Sequence, residues 1–324
     1  MLITQPMLSH MQLDLEIIMR LRHLVLVGAL STAVVTSGCA APDATPPAAA
    51  GTTAAGGASS AAKLTKDDAI AAMLPDAIKS SGTVRVASGV SFPPMEFFDT
   101  DNKTVLGFDA DLGAALGQVL GVKFDFQNTN FDGIIGGLNA GRYDLSLTSM
   151  IDKKKRQGTV DFIDYLNSGV TFMVAKGNPK ALKDKMDLCG KTVAVEKSST
   201  GDLSVDDITA ACTKAGKAAV TKLPFPDQTS AVQALQSGRA DAVVALDLTL
   251  AYNVKTAPDA FEVDAKPFGT LPVGIPVPKN DPKLRDAVQA ALKAVISAGT
   301  YDALLVKWNL QDQGLKDAPI NTGQ

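Results

Sequence analysis

Hydrophobic and polar positions follow two alternating periods in the middle of the chain. Residues 84–87 and 123–127 alternate with the period of two that predicts β-strands. Residues 108–120 and 132–139 carry apolar side chains at the spacing of an amphipathic helix. Residues 145–149 form a third short apolar run and predict another strand. The order strand, helix, strand, helix, strand is typical of a doubly wound α/β unit.

The same order returns further along the chain. Strands are predicted at 192–195, 220–223 and 242–246, and helices at 203–215 and 230–236. The segment from Leu138 to Asp144 also matches the segment from Leu235 to Asp241 at its Leu, Gly, Arg and Asp positions. A generic helix end before a strand would explain that match alone, but the repeated order around it favours two lobes built on one plan.

Two extended segments predict connections between these lobes. Residues 170–175 are apolar, and residues 270–277 are extended and interrupted by proline. Helices predicted at 283–297 and 301–308 then pack back on the first lobe. A pair of extended hinges allows two lobes to close around a ligand. We expect lobe 1 at 76–174 and 271–312, lobe 2 at 175–270 and a tail at 313–324.

A basic segment, a short apolar run and a small-residue site lie near the N-terminus. Arg20, Arg22 and His23 precede the 12 residues 24–35, and Cys39 follows Thr-Ser-Gly. This order is typical of an export signal. The run is too short to span a bilayer, which needs roughly 20 apolar residues.

The cysteine at the end of this signal resembles the lipidated cysteine of a bacterial lipobox, although Thr36 stands where that pattern prefers Leu. An ordinary secretory signal with a chance cysteine is the alternative. Met19 begins a tidier signal than Met1 does. Residues 40–62 are almost wholly Ala, Pro, Gly, Ser and Thr, which predicts a flexible tether. We expect a lipoprotein-type signal peptide at 1–38, a linker at 39–75 anchored by lipid at Cys39, and a location outside the cytoplasm, on the periplasmic side or outer surface of the cell membrane.

Composition excludes several classes of function. The two histidines, His10 and His23, both lie in the predicted signal, so the mature chain has no Ser-His-Asp triad and no imidazole for a catalytic zinc. No Walker loop or dinucleotide fingerprint occurs, and the net charge of −3 is too mild to suggest a nucleic-acid partner. We expect neither a cofactor nor a metal.

Two cysteines remain once Cys39 is assigned to the anchor. Cys189 and Cys212 lie 23 positions apart. In an oxidising compartment such a pair predicts a disulfide bond. Two free buried thiols are the alternative.

Short segments along the chain follow one known order: Gly82-Thr83-Val84-Arg85-Val86, Phe92-Pro93-Pro94-Met95-Glu96-Phe97, Gly107-Phe108-Asp109-Ala110-Asp111-Leu112, Val160-Asp161-Phe162 and Gly299-Thr300-Tyr301. Together they resemble family 3 of the bacterial extracellular solute-binding proteins, the polar amino-acid-binding components of ABC importers. The resemblance covers residues 76–312. It implies a periplasmic-binding-protein-like α/β fold of type II, with two doubly wound lobes joined by two hinge strands. It also implies a monomer that binds an amino-acid-like ligand and delivers it to an ABC permease in the membrane.

The resemblance implies ligand-binding residues in lobe 1. Phe92 falls on an aromatic residue that stacks over the ligand, Phe131 on a second wall, and Arg156 on the arginine that grips the ligand's carboxylate. Thr148 and Ser149 end a predicted strand, where open α/β sheets usually bind ligands. Each position also has a purely structural alternative. Phe92 suits a loop anchor and Phe131 a hydrophobic staple, and Arg156 ends a run of charges typical of a solvated face.

In lobe 2 the resemblance places Ser199 and Thr200 at a turn before a helix, where backbone N–H groups and a hydroxyl bind the carboxylate; helix capping alone is the alternative. Two positions depart from the family pattern. Ile151 replaces a Ser or Thr, so only its backbone N–H is available. The acid that pairs with the ligand's ammonium aligns with Leu246, and an acid, Asp247, stands one position later. Asp247 is therefore a candidate whose register is in doubt.

The mechanism expected is ligand capture by closure of the lobes, without catalysis. An enzyme on the same fold is the second hypothesis, namely a dehydratase of a small cyclic carboxylate that uses a general acid in the cleft. Glu196 lies near the turn in lobe 2, but its location between a strand and a loop favours a structural role. A ligand-sensing module of a larger receptor is a third. The lack of a membrane-spanning or signalling segment after Trp308 in this sequence argues against it.

Overall fold

The computed structural model describes residues 64–324. The predicted signal peptide, the anchor Cys39 and the linker up to residue 63 lie outside the described residues. Over residues 64–324, none of the helices combines the length and the apolar character needed to cross a membrane.

Ten helices and eleven strands make up this part of the chain. The helices are α1 Asp68–Ala72, α2 Asp76–Ser81, α3 Phe108–Leu120, α4 Ile134–Asn139, α5 Lys154–Gln157, α6 Thr200–Lys214, α7 Gln228–Gln236, α8 Asp247–Thr256, α9 Pro282–Ser297 and α10 Thr300–Trp308. The strands are β1 Thr83–Ser88, β2 Phe97–Phe98, β3 Val105–Leu106, β4 Lys123–Asn128, β5 Leu145–Ser146, β6 Val160–Ala175, β7 Thr192–Glu196, β8 Thr221–Phe225, β9 Ala242–Leu246, β10 Phe261–Glu262 and β11 Thr270–Pro278.

Lobe 1 is built on a parallel sheet in the order β4-β1-β5. Val84 and Val86 of β1 are fully buried. They belong to one apolar core with Leu112 and Leu116 of α3 and Val288 of α9. The alternating strand and the periodic helices therefore bury the faces that their patterns predict. The carboxyl ends of β1 and β5 consequently meet at one edge of the lobe, where the candidate site lies.

Lobe 2 repeats this plan with a parallel arrangement of β8, β7 and β9. Helices α6 and α7 pack against β7 and β9. The β9 strand is buried throughout, as expected for a strand with both faces covered. The ends of β7 and β9 face the edge of lobe 1, so each lobe contributes the same type of strand-to-helix turn to the space between them.

The long strand β6 passes from one lobe to the other. Its residues 160–169 pair with β11, whereas residues 170–173 pair with β9 and residues 174–175 with β10. The change of partner falls at Gly169, where a Cβ atom would lie 2.5 Å from Pro267 Cβ and 2.8 Å from Gly269 O. Only glycine fits this close approach. The two crossing strands, β6 and β11, confirm the predicted fold of two doubly wound lobes joined by hinges.

The folded body extends beyond the limits expected from the sequence at both ends. Residues 64–75, assigned to the linker, contain α1 and the buried Leu74, and Asp67 caps α1. Residues 313–324, assigned to a tail, pair with β6 at Gly314 and Ile320. In addition, the Gly323 N–H donates to the buried carboxylate of Asp152 over 2.7 Å. Both segments contribute to the packing of lobe 1.

The predicted disulfide bond is present. Cys189 and Cys212 are bonded, with their Cα atoms 5.6 Å apart. The bond ties the segment before β7 to the last turn of α6. The bond excludes the alternative of two free thiols. The buried Cys212 also belongs to the apolar core.

Candidate ligand-binding site

A cavity of about 370 Å³ lies between the two lobes. This volume is all the space between the lining atoms and includes some that is open to solvent. Lobe 1 contributes Gly89, Phe92, Glu96, Phe131, Thr148 and Ser149, and lobe 2 contributes Glu196, Ser199, Thr200, Gly201, Gln228, Ala245 and Leu246. Six of the nine ligand-binding residues expected from the sequence are therefore brought together here.

Aromatic residues form part of the wall in lobe 1. Phe92 is buried, and its backbone is fixed by paired hydrogen bonds with Glu96. Phe131 starts the turn that leads into α4, and its ring lies 5.5 Å below the guanidinium carbon of Arg156. Two rings thus offer apolar surface to a ligand, and one of them also holds the arginine in place through a cation–π contact.

Arg156 is a buried cation at the edge of the cavity. Its Nη1 donates to Ile151 O over 2.9 Å and to Thr200 Oγ1 over 3.3 Å, and its Nη2 donates to Ser198 O over 3.0 Å. None of the described residues forms an ion pair with it. Burial lowers its pKa to about 10, although the charge of the nearby Asp152 acts in the opposite direction. Its neighbours Lys154 and Lys155 are exposed. The alternative of a charged face exposed to solvent therefore holds for those two lysines, whereas Arg156 is buried and does not fit it.

Thr148 and Ser149 follow β5, where they connect the cavity to a buried network of acids. The Thr148 hydroxyl donates to Glu96 over 3.1 Å and accepts from Gly89 N over 2.9 Å. Ser149 N donates to Asp109 over 3.1 Å, while its own hydroxyl has no partner in the described structure. Burial raises the pKa of Asp109 to about 6. Burial and the neighbouring Asp109 raise the pKa of Glu96 well above its usual value.

The start of α6 supplies the polar edge of lobe 2. Ser199 is the N-cap residue, and its hydroxyl accepts from Asp202 N over 3.1 Å. Capping and cavity lining therefore coexist at this residue. Gly201 lies against β9, where a Cβ atom would come within 2.3 Å of Val244 O. This contact brings the N-terminal turn of α6, with its free N–H groups, close to the cavity.

Three expected residues do not line the cavity themselves: Arg156, which contacts the lining residue Thr200, and Ile151 and Asp247. The backbone of Ile151 pairs with Val273 of β11, and its carbonyl accepts from Arg156, so this residue supports the arginine. Asp247 is the first residue of α8, and its carboxylate accepts from the Ser168 hydroxyl over 2.6 Å. The preceding Leu246 lines the cavity instead. The structure thus places Asp247 at the hinge.

Direct contacts hold the lobes together beside the cavity. Besides the bonds of Arg156 to lobe 2, the Thr249 hydroxyl donates to Pro93 O over 2.7 Å. Lys197 and Asp132 form an ion pair of 2.7 Å. Each contact joins one lobe to the other, so the structure represents a closed arrangement.

Three polar residues of the cavity were not assigned as ligand-binding from the sequence, namely Glu96 in lobe 1 and Glu196 and Gln228 in lobe 2. Glu196 ends β7, and Gln228 starts α7 just after the capping residue Asp227. Both are almost fully buried. Glu196 lies at the end of a strand and Gln228 at the start of a helix. Ser199 and Thr200 were predicted from the same kind of position, so this position was the signal available for finding Glu196 and Gln228. Within residues 64–324, no group of His, Cys, Asp and Glu side chains is arranged to hold a metal ion.

Two α/β lobes joined by crossing strands, with a cavity between them, define a solute-binding protein of the type II periplasmic class. The chain belongs to the bacterial extracellular solute-binding proteins, family 3, whose sequence model matches residues 84–311.

Named relatives of this family are similar over most of the chain. The arginine-binding protein ArgT of Corynebacterium glutamicum is 31% identical over 78% of this chain and 82% of its own length. A mutant of the arginine-binding protein of T. maritima has a TM-score of 0.66 and 32% identity, with coverage of 72% and 98%. An ancestral amino-acid-binding protein, described as a precursor of cyclohexadienyl dehydratase, has a TM-score of 0.65 and 33% identity, with coverage of 72% and 98%.

Proposed function

We propose that this protein captures an amino acid or a related small carboxylate between its lobes and delivers it to an ABC permease. The observation that carries this proposal is the buried Arg156 guanidinium, which contacts the cavity residues Phe131 and Thr200 and forms no ion pair within residues 64–324. A buried cation is stable only if it is paired or fully hydrogen-bonded, and a planar guanidinium suits a two-pronged contact with a carboxylate.

The carboxylate would meet groups from both lobes. Arg156 approaches it from lobe 1, whereas the Thr200 hydroxyl and the free N–H groups at the start of α6 approach it from lobe 2. A ligand that contacts both lobes favours the closed state by its difference in affinity between the open and closed forms. Phe92, Phe131, Thr148 and Ser149 would form the rest of the lobe 1 surface.

The proposal also covers how the protein is held at the membrane and which chains it works with. The family consists of extracellular solute-binding proteins, and the relatives named above bind amino acids. We infer that Cys39 carries the lipid anchor, that residues 40–62 act as the tether and that the protein works as a monomer. The permease and its ATP-hydrolysing partner would be separate chains.

Ligand binding tests this proposal directly. The mature protein is screened by thermal shift against amino acids, their derivatives and small carboxylates, and hits are measured by calorimetry. We expect a saturable rise in Tm and a fall in the radius of gyration on binding. Arg156→Ala should weaken binding by about tenfold or more. Lys155→Ala is the matched control, because Lys155 lies next to Arg156 but is exposed. Equal affinities for the two variants would remove Arg156 from the site, and no binding in the whole screen would overturn the proposal.

An enzyme is the second candidate, and one observation favours it. Glu196 lines the cavity, and burial raises its pKa to about 8, so it holds a proton at neutral pH as a general acid requires. Small cyclic carboxylates are incubated with the protein, and products are followed by chromatography. Turnover that is lost in Glu196→Gln would establish catalysis in place of capture.

A further inference from the structure

We propose that Glu196 is a ligand-binding residue that accepts a positively charged group, so that the solute is an amino acid with a cationic side chain. This inference rests on the proposed function and adds the class of ligand. Arg156 would bind the carboxylate of the ligand. Glu196 would bind the ammonium or guanidinium group of the ligand's side chain.

The position of Glu196 carries the argument. Its side chain lines the cavity between the lobes and also a neighbouring cavity of about 460 Å³, here called the outer cavity. Glu196 is only 4% exposed, and its carboxyl group has no hydrogen bond or ion pair within the described part of the chain. The outer cavity is lined by Gly89, Val90, Ser91, Asn128, Thr129, Asn130, Phe131, Glu196, Pro226 and Asp227. The two cavities share Gly89, Phe131 and Glu196 as lining residues, so a ligand side chain that extends from the first cavity towards the outer one lies beside Glu196.

The charges around Glu196 point to a cation. Asp227 and Asp132 lie close enough to raise its pKa further after the effect of burial, and Glu196 in turn acts on Glu96. The nearby Lys197 is on the surface and pairs with Asp132. The lining residues of the outer cavity include two acids and no Lys or Arg. A ligand with a positive side chain would complete this acidic region, whereas a neutral or acidic one would leave buried carboxyl groups unpaired.

Gln228 supplies a second, independent observation. Its side-chain amide is buried in the wall of the cavity, and neither its oxygen nor its nitrogen has a hydrogen-bond partner in the structure of residues 64–324. Buried polar atoms are normally satisfied, so an unpartnered amide facing a cavity indicates a polar ligand atom there. Glu196 and Gln228 both belong to lobe 2, and they flank the same space. Leu246, at the position expected to hold the acid for an ammonium, offers no charge.

Selectivity between charged and neutral analogues tests the inference. Calorimetry at pH 7.5 compares L-arginine and L-lysine with citrulline and L-glutamine, which retain the α-amino acid part but lack the positive side chain. We expect arginine or lysine to bind at least ~30-fold more tightly than the neutral pair, the effect of one buried charge partner. Glu196→Gln should remove most of this preference while binding of the neutral amino acids persists. Asp259→Asn, an exposed acid on lobe 2, is the matched control and should retain the preference.

A second measurement does not depend on any variant. A cation that binds to Glu196 lowers the pKa of that group and expels its proton, so binding at pH 7 should release about one proton. Calorimetry in two buffers of different ionisation enthalpy measures this release.

The outcomes separate this inference from the function on which it rests. If citrulline or glutamine binds the wild-type protein as tightly as arginine and lysine, or if binding of a basic amino acid releases no proton, the role of Glu196 is overturned and the proposed capture of an amino acid stands. If no amino acid or small carboxylate binds at all, the proposed function fails first.

Discussion

The Arg156 guanidinium donates to the Thr200 hydroxyl over 3.3 Å and thereby joins the two lobes at the edge of the cavity. Arg156 reaches this point from α5 of lobe 1, whereas Thr200 is the first residue of α6 in lobe 2. The bond exists only while the lobes are closed. Any ligand that bridges the same two groups is therefore bound most tightly by the closed form.

Removal of the Thr200 hydroxyl should weaken ligand binding without unfolding the protein. Thr200→Val keeps the shape of the side chain but leaves Arg156 with one fewer partner. We expect a loss of affinity of about five- to tenfold, in line with a hydrogen bond to a charged group. Calorimetry with the best ligand from the screen measures it. The control is Thr213→Val, an exposed position in the last turn of the same helix. A Thr200→Val protein that binds as well as wild type would show that this hydroxyl takes no part in capture.

The disulfide bond should make a large contribution to stability. It closes a loop of 23 residues, and the loop-entropy relation gives about 3 kcal/mol for a loop of this size. The double variant Cys189→Ser, Cys212→Ser should therefore unfold at a lower urea concentration, with a free energy of unfolding reduced by about that amount. A reducing agent supplies the control, because it should destabilise the wild type and leave the variant unchanged. A variant as stable as the oxidised wild type would contradict the prediction.

The ligand-free protein should lose stability as the pH rises from 5 to 8. The pKa of Glu196 is about 8 in the folded protein because the side chain is buried, whereas the usual value for this group is 4.5. Between these two pKa values the folded state holds a proton that the unfolded state has lost. The contribution of Glu196 to stability is therefore full below about pH 4.5 and is lost as the pH rises towards 8. The effect is on the order of a few kcal/mol, or several degrees in Tm.

Glu196→Gln isolates that contribution. The amide does not titrate, so the Tm of this variant should change less between pH 5 and 8 than the Tm of the wild type. Glu96 and Asp109 also have raised pKa values and will leave part of the dependence in place. Profiles of equal slope for the two proteins would show that Glu196 is not buried as a neutral acid.

Close packing of α6 against β9 should make Gly201 intolerant of a larger residue. A Cβ atom there would lie 2.3 Å from Val244 O, so Gly201→Ala must push the helix away from the sheet. We expect a loss of about 1–3 kcal/mol, which urea unfolding measures. Gly136→Ala in α4 is the matched control, because a Cβ atom there meets nothing within 4 Å and alanine favours a helix. If both variants unfold alike, the close approach has no energetic consequence.

The local pattern of the chain was sufficient for the plan of the fold. Strands β1, β4 and β9 and helices α3, α9 and α10 lie within one residue of their predicted bounds, because alternating or helically spaced apolar residues specify which face is buried. Helix α8 was missed. It starts at Asp247 directly after a buried strand, and its apolar residues, among them Leu248, Leu250 and Val254, are not gathered on one face, so the pattern gave no helical period.

What the sequence by itself determined is the repeated order of strands and helices, the cysteine pair and the family resemblance, since each depends on residue type and spacing along the chain. Only the tertiary structure decided which charges lose their contact with water. Arg156 and Lys155 look alike in the sequence, yet one is buried beside Thr200 and the other is exposed. Glu196 likewise acquires its importance from the closure of two lobes around it. Burial and the distance between residues remote in sequence arise from packing, and no local pattern encodes them.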